Sequence, residues 1–293
     1  MASEGDRRSD PEVAERRSRL LGRPGFQAEG ARGVAIALLS TAVFVTVVLV
    51  AITQSAGWPE VHRTFFDWGD ISGSFPEIAR AFVLNVKIFL VCEVFILVFA
   101  LLIAVLRSLP GPVFFPLRAL AIIYADLARG IPTILVIALL GFGAPALQLT
   151  GVPRSRVFWA GLGLILVYSG YVAEVYRAGI ESVHPSQEAA ARSLGLSRFQ
   201  ALRRVILPQA IRRVIPPLLN DFIGLQKDTA LVGTLGVIEA FNQSQIDTNA
   251  TFTYGSYLAA AALFVAITIP LARLTDWLIA RDRRRRQAAG GFA

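Results

Sequence analysis

Six apolar stretches, each long enough to cross a lipid bilayer, dominate the chain. A transmembrane helix needs about 20 consecutive, mostly apolar residues, because each residue adds about 1.5 Å along the helix axis and the hydrocarbon core is about 30 Å thick. The stretches that meet this length are approximately 33–53, 82–106, 119–143, 157–180, 214–240 and 256–280. The pattern therefore predicts an all-α, polytopic membrane protein with six transmembrane helices.

The composition agrees with a chain that is partly surrounded by lipid. Hydrophobic residues make up 54% of the 293 residues and charged residues only 17%, with a mean hydropathy of +0.56. A soluble domain usually carries about 25% charged residues. The net charge of +8 would suit nucleic-acid binding, but the arginines flank apolar stretches instead of forming a folded basic face. A single cysteine excludes an intrachain disulfide, and the two histidines lie far apart, so no cluster has metal-ligand spacing.

The distribution of arginine predicts the side of the membrane on which each end lies. The segment 1–32 is polar, mixes both signs of charge and cannot bury enough apolar surface to fold alone, so a disordered tail is expected. That tail, the loop 181–213 and the segment 281–293 are rich in arginine, whereas 54–80 leans acidic. Because Lys and Arg concentrate in cytoplasmic loops, both termini are predicted to be cytoplasmic and 54–80 extracytoplasmic. The loop 144–156, with two arginines, runs against this trend.

The loop 184–208 carries the most specific local pattern in the chain. It predicts two short helices separated by Gly195, which is a natural C-terminal stop for the first of them. Ser186 is the predicted N-cap of the first helix, because serine accepts a hydrogen bond from a free backbone N–H. Glu188 then falls in the first turn, where the helix dipole favours an acid.

The second predicted helix of this loop begins with a capping box. Ser197 and Gln200 have the S-x-x-Q spacing in which each side chain satisfies the other residue's backbone N–H. Leu207-Pro208 is predicted to end the helix, because proline lacks a backbone N–H. A compact helix–glycine–helix unit with small alanines on its surface suits the docking of a partner protein. The alternative is an amphipathic loop that lies on the lipid headgroups.

The same loop resembles the EAA signature of the permease subunits of bacterial ABC importers. That signature reads Glu-Ala-Ala, any three residues, Gly, any nine residues, Ile, any residue and Leu-Pro. When the signature is anchored on Gly195, its Leu-Pro falls on Leu207-Pro208 and its triplet on Ala189–Ala191. The chain departs from the signature because its acid, Glu188, lies one residue early.

Short segments on both sides of the loop resemble the polar amino-acid subfamily of these permeases. They are, in chain order, Arg129-Gly130-Ile131-Pro132, Glu174-Val175-Tyr176-Arg177-Ala178-Gly179, Pro208-Gln209-Ala210, Pro216-Pro217 and Gln226-Lys227-Asp228-Thr229-Ala230-Leu231. Each segment is short, but together they follow the family's order over roughly residues 80–280. The resemblance implies a five-helix permease core at 81–280, to which the helix at 33–53 is an N-terminal addition.

The resemblance also implies a set of partners in the bacterial plasma membrane. The chain would pair with a second permease chain, of the same or a different kind, dock one cytoplasmic ATPase subunit, and take a polar amino acid from an extracytoplasmic solute-binding protein. The sequence contains no G-x-x-x-x-G-K-[ST] phosphate loop, so ATP and Mg are expected on the partner ATPase and no cofactor on this chain. The residues expected to form the ATPase-docking loop are Ser186, Gln187, Glu188, Ala189, Ala190, Ala191, Gly195, Leu207 and Pro208.

Ionisable side chains inside the apolar stretches mark a candidate path for the substrate, because charges at bilayer depth usually face a bundle interior or an aqueous path. Asp126 and Arg129 lie one helical turn apart and can pair, whereas the adjacent Lys227 and Asp228 cannot face each other. The ammonium of an amino acid could meet Glu93 or Asp228, and its carboxylate Arg129 or Lys227. Ion pairs that only hold helices together are the alternative. The candidate path residues are Glu93, Arg129, Lys227, Asp228 and Thr229.

Two further features and two rival functions complete the predictions. Gly130-Ile131-Pro132 interrupts the third apolar stretch and indicates either a broken helix beside a transport path or a packing kink. Lys87 lies nearer the outer surface, where its ammonium can reach the headgroups. An ion-coupled secondary transporter of a small zwitterion and a membrane scaffold or receptor are the rivals. Co-purification of an ATPase subunit would distinguish an importer from both.

Overall fold

The computed structural model describes residues 31–109 and 111–290, which form helices and their connections, with no strand in those ranges. The predicted tail at 1–32 therefore lies almost entirely outside the described residues. The chain divides into two compact units, 1–61 and 62–293. The first contains α1 (Ala31–Thr53), which matches the first predicted span, and the start of α2 (Trp58–Phe65).

The second unit contains the end of α2 and the remaining helices. In chain order these are α3 (Trp68–Ser108), α4 (Phe115–Gly130), α5 (Thr133–Ala146), α6 (Arg156–Glu181), α7 (Pro185–Ser193), α8 (Arg198–Ala201), a π-helical turn (Leu202–Ile206), α9 (Leu207–Asp228), a 3-10 helix (Thr229–Leu235), α10 (Ala240–Thr251) and α11 (Gly255–Gly290). Most of the predicted basic tail at 281–293 thus continues α11.

Four segments of the described chain are long and apolar enough to cross a membrane: Gly33–Thr53, Trp58–Ser108, Arg156–Glu181 and Gly255–Arg281. α4 and α5 provide a fifth if they are counted as one span that bends by 100°. The bend falls at Ile131-Pro132, where the sequence predicts an interruption. Pro132 cannot donate the backbone hydrogen bond that would continue α4, so the helix ends and a new one starts.

Two sequence predictions about the elements need correction. The stretch 214–240 is not one continuous helix, because α9 ends at Asp228 and a 3-10 helix follows it to Leu235. Gly236 then turns the chain in the left-handed conformation, with φ of 73°. The segment 54–80 is not a simple loop either, since α3 begins at Trp68 after the side chain of Asp67 accepts a hydrogen bond from the Asp70 N–H.

The main core of the second unit lies where α3, α5, α6, α9 and the 3-10 helix meet. Its fully buried side chains are apolar, among them Ile96, Leu164 and Leu225. α6 is the central helix of this unit, and its glycines let neighbouring helices approach closely: a Cβ added at Gly179 would clash with Val214 of α9. A smaller core joins α3, α10 and α11.

Candidate functional site

The predicted docking loop forms a compact unit whose first helix is α7. His184, rather than the predicted Ser186, is its N-cap: the His184 Nδ1 accepts a hydrogen bond from the Ser186 N–H at 3.2 Å. Pro185 occupies the first helical position, where its missing N–H has no cost, and this places Ser186 one residue inside the helix. Glu188 lies in the first turn as predicted, and its carboxylate lies 3.8 Å from Arg198 of α8.

Gly195 ends α7 in the conformation that the sequence predicts. Its φ is +86°, in the left-handed region that favours glycine. The Gly195 N–H donates to the Arg192 carbonyl at 3.0 Å, and the Leu196 N–H donates to the Ala191 carbonyl at 3.3 Å. These two bonds form a Schellman motif, which satisfies carbonyls that the helix end would otherwise leave free.

The second half of the loop differs from the prediction after its capping box. Ser197 and Gln200 form that box as expected, with both reciprocal hydrogen bonds present. Pro208, however, does not end the helix, because the π turn at Leu202–Ile206 widens the backbone just before it. A π turn removes the usual hydrogen bond to the carbonyl four residues back, so a proline can follow without breaking the chain of helical turns.

Side chains of α9 attach this loop to the rest of the second unit. The Gln209 Nε2 donates to the Val205 carbonyl at 3.0 Å and to the Gln187 Oε1 at 3.3 Å, so it joins the π turn to α7. The Arg213 guanidinium donates to the Ser182 carbonyl at the end of α6. As a result α7 is held to α9, and α9 is held to the end of α6.

The exposed surface of the loop combines polar side chains with a few small and apolar ones. Ser186, Gln187, Ala189 and Ala190 are exposed, while Ala191 is buried beneath them. Beside them, Leu194 is 84% exposed and Phe199 is 69% exposed. Leu194 is not among the residues predicted from the sequence, although its position beside the helix-ending Gly195 indicates an exposed apolar side chain in the loop.

A cluster of ion pairs lies around Glu174 of α6. The Arg107 guanidinium of α3 is 2.9 Å from the Glu174 carboxylate, Arg177 donates to both of its oxygens, and Arg129 of α4 lies 3.9 Å away. Arg129 also pairs with Asp126 at 2.9 Å, which is the i,i+3 pair that the sequence predicts. In this conformation Arg129 therefore joins α4 to α6.

A separate acidic surface lies where α3, α6 and α9 face one another. Glu93 of α3 is half-buried and close enough to Asp221 of α9 for the two carboxylates to interact electrostatically. One oxygen of Asp221, Oδ2, is buried and has no hydrogen-bond partner among the described residues. Asp228, two turns further along α9, accepts a hydrogen bond from the Tyr168 hydroxyl at 2.9 Å.

Asp221 was missed by the sequence analysis, although a signal for it exists. Its spacing of seven residues from Asp228 places both acids on one face of a helix. The other two candidates from the same segment lie elsewhere: Lys227 is exposed, and Thr229 is fully buried.

Thr229 belongs to a buried polar network that the sequence analysis also missed. The Asn85 Nδ2 of α3 donates to the Thr229 hydroxyl at 3.2 Å and to the Glu239 carboxylate at 2.8 Å. Glu239 is fully buried and caps α10 by accepting from the Phe241 and Asn242 N–H groups. Both carboxylate oxygens of Glu239 accept a hydrogen bond, so the network joins three elements of the fold without an unsatisfied carboxylate oxygen.

Comparison with known proteins agrees with this geometry. A family model for the inner membrane component of binding-protein-dependent transport systems matches residues 96–284. The probable amino-acid permease protein YxeN of Bacillus subtilis is 35% identical over 211 residues, which cover 72% of this chain and 93% of that protein.

Two solved structures have a similar fold. The crystal structure of an amino acid ABC transporter with histidines matches with a TM-score of 0.67 and 28% identity, over 73% of this chain and 98% of that chain. An inward-facing structure of the MetNI methionine ABC transporter matches with a TM-score of 0.56 and 18% identity, over 70% of this chain and 95% of that chain. At 18% identity the second likeness shows the fold alone.

The helical membrane fold and the comparisons together define a class of membrane transport subunits. The chain belongs to the family of inner membrane components of binding-protein-dependent transport systems. It is the permease subunit of an ABC importer, a multi-pass protein of the plasma membrane that works with an ATPase and a solute-binding protein.

Proposed function

We propose that this chain carries a polar amino acid across the membrane after an extracytoplasmic solute-binding protein delivers it. ATP would be hydrolysed, with Mg, on a separate ATPase subunit. YxeN and the amino acid ABC transporter structure support an amino-acid substrate, since this chain matches 93% of YxeN and 98% of the chain in that structure. Pairing with a second permease chain belongs to the same proposal. So does a cytoplasmic location of both termini, which the arginine distribution supports.

The observation that carries the ATPase contact is the geometry of the docking loop. Its first helix is fixed at both ends, by the His184 cap and by the Gly195 Schellman motif. Exposed small side chains let a partner backbone approach closely, and Leu194 and Phe199 offer apolar anchors beside them. The Gln209 and Arg213 hydrogen bonds then connect a force on α7 to α6 and α9. Such an element suits docking into a groove of the ATPase.

The acidic surface between α3 and α9 supports a contact with the substrate's ammonium group. Glu93 and Asp221 are close enough to interact electrostatically, no ion pair joins either to a basic side chain in the described part of the chain, and Asp221 Oδ2 lacks a donor there. Uncompensated acids at bilayer depth are costly, so a passing cation stabilises them. Arg129 is engaged by Asp126 and Glu174, whereas Lys227 is exposed and forms no ion pair within 4 Å among the described residues, so it can meet a carboxylate.

Reconstituted transport tests whether uptake depends on both the ATPase and the solute-binding protein. The chain is co-expressed with its ATPase, purified and placed in proteoliposomes with ATP inside and the loaded solute-binding protein outside. An importer is expected to show uptake that depends on ATP and on the binding protein. Uptake that needs an ion gradient and no ATPase would contradict the proposal and favour a secondary transporter.

The substrate contact is tested by comparing two matched substitutions. Asp221→Asn is expected to lower uptake about tenfold or more, because a hydrogen bond to a charged group contributes about 1.5–3 kcal/mol. Asp126→Asn makes the same chemical change at an ion pair outside the acidic surface and is expected to retain more of the uptake. Equal uptake by the two variants would remove Asp221 from the substrate path.

A further inference from the structure

An apolar groove of about 440 Å³ runs along the contact between α3 and α6. Its floor is Cys92, whose thiol donates to the Gly161 carbonyl of α6 at 3.6 Å. The walls include Phe95 and Phe158, which are 48% and 49% exposed. The groove is therefore open along its side and lined by hydrocarbon and aromatic surface.

One charged side chain lies in this groove. Lys87 alone is charged among the described residues that line it, and its side chain is exposed. No ion pair or hydrogen bond joins its ammonium to another described residue. A lysine in a membrane-spanning helix normally pairs or reaches a polar phase, so an anion beside Lys87 would stabilise it.

The groove has a polar end and an apolar end. Lys87 lies near Val157 and Phe158, at the start of α6, whereas Phe99 and Ile165 lie deeper along both helices. The neighbouring Arg156 is engaged by the Leu235 carbonyl at 2.8 Å. From Leu84 to Phe99, α3 rises about 22 Å, and one leaflet of the hydrocarbon core is about 15 Å deep. A phospholipid would fit with one acyl chain along the groove and its headgroup at Lys87.

We propose that this groove binds an anionic phospholipid, with one acyl chain between α3 and α6 and the phosphate paired with the Lys87 ammonium. The site goes beyond the transport function and does not depend on which substrate is carried. Two features together distinguish it from a general lipid-facing surface: a cation at the surface end that has no partner among the described residues, and an apolar groove at least as long as one leaflet is deep.

The test is a lipid titration of the purified full-length chain in detergent, followed by native mass spectrometry with phosphatidylglycerol and with phosphatidylcholine. Lys87→Gln is expected to reduce the preference for phosphatidylglycerol about fivefold, because one basic side chain strengthens binding to an anionic lipid surface by about that factor. Lys87→Arg should retain the preference. Arg80→Gln, which removes a positive charge two turns away on the same helix, should leave it unchanged.

A second pair of variants tests the acyl-chain part of the site. Val91→Trp places a large ring in the groove and should lower retention of both lipids, whereas Val98→Trp lies outside the lining and should not. An unchanged lipid preference in Lys87→Gln overturns the proposal. A photocrosslinking side chain placed at position 91 gives a second check. If it reacts with a second permease chain or with α1 instead of with lipid, the proposal is overturned, because protein would then occupy the groove.

Discussion

Replacing Gly195 by alanine should weaken the docking of the ATPase without unfolding the protein. Gly195 has φ of +86° and its two neighbouring hydrogen bonds close α7. A Cβ at this position would meet no atom within 4 Å, so the substitution adds no steric clash with other residues. The whole effect must then come from forcing an L-residue into the left-handed region.

The size of the effect follows from that conformational cost. A left-handed conformation costs an L-residue about 1–2 kcal/mol, which corresponds to about a 5- to 30-fold shift in an equilibrium. If the loop must hold this shape to dock, the apparent dissociation constant for the ATPase rises by up to that factor. The membrane-spanning helices are not part of this turn, so the unfolding temperature should change little.

The assay compares three variants in the reconstituted complex. Gly195→Ala is measured for ATPase binding and for ATPase activity stimulated by the binding protein. Gly195→Asn is the conformational control, because asparagine tolerates the left-handed region better than alanine. Gly73→Ala is the general control: Gly73 also lies in open space, but in the regular helix α3.

The predicted loss of docking is wrong if Gly195→Ala binds the ATPase as tightly as Gly195→Asn and the unchanged chain. It also fails if Gly73→Ala weakens binding equally, since the loss would then not depend on the turn. A loss of docking in Gly195→Ala together with a large drop in unfolding temperature would show that the substitution disturbs the fold and not only the loop.

Substitutions at three further positions test the packing and the electrostatics of the fold, each by thermal unfolding in detergent. Gly179→Val should lower the free energy of unfolding by about 1–3 kcal/mol, because it overpacks the contact with Val214; an unchanged transition would show that α6 and α9 are not in close contact. Glu239→Ala should destabilise by at least about 2 kcal/mol, because the Asn85 amide and two backbone N–H groups lose their acceptor, whereas Glu239→Gln should cost less; equal costs would argue against this network. Burial and two neighbouring carboxylates raise the pKa of Asp247, so the folded state favours its protonated form and stability falls as pH rises through that pKa. Asp247→Asn should therefore raise the unfolding temperature at pH 7 and have little effect below about pH 4; a difference that does not change with pH would contradict this.

Local sequence signals predicted much of the docking loop because they act within a few residues. The Ser197–Gln200 box and the Gly195 stop are interactions inside one turn, and both are present in the structure. The N-cap moved from Ser186 to His184 because an imidazole nitrogen can accept the same hydrogen bond that a hydroxyl accepts. Periodicity and apolar length likewise predicted α1, α6 and α11, whose stability depends on burial in lipid.

Contacts between distant segments could not be predicted in the same way. The Asn85–Glu239 bond joins residues 154 positions apart, and nothing in either local sequence identifies the other. Glu174 pairs with three arginines from three helices, and the motif at 174–179 contains only one of them, Arg177. The 214–240 stretch was misread because its average hydropathy hides a change from α-helix to 3-10 helix at Thr229.

The continuity of α8, the π turn and α9 gives the docking loop a direct connection to the acidic surface. Together they form one helical segment from Arg198 to Asp228, about 45 Å long at 1.5 Å per residue. One end belongs to the loop 184–208 and the other carries Asp221 and Asp228, so in the proposed importer a displacement of the loop would reach the acidic surface through this one continuous segment. The π turn is the one place along this segment where the helical repeat changes. Returning it to an α-helical turn would rotate α8 by about 100° relative to α9, the angle of one residue in an α-helix. Pro208, which cannot supply the hydrogen bond of that α-helical turn, opposes the return and holds the loop in the arrangement seen here.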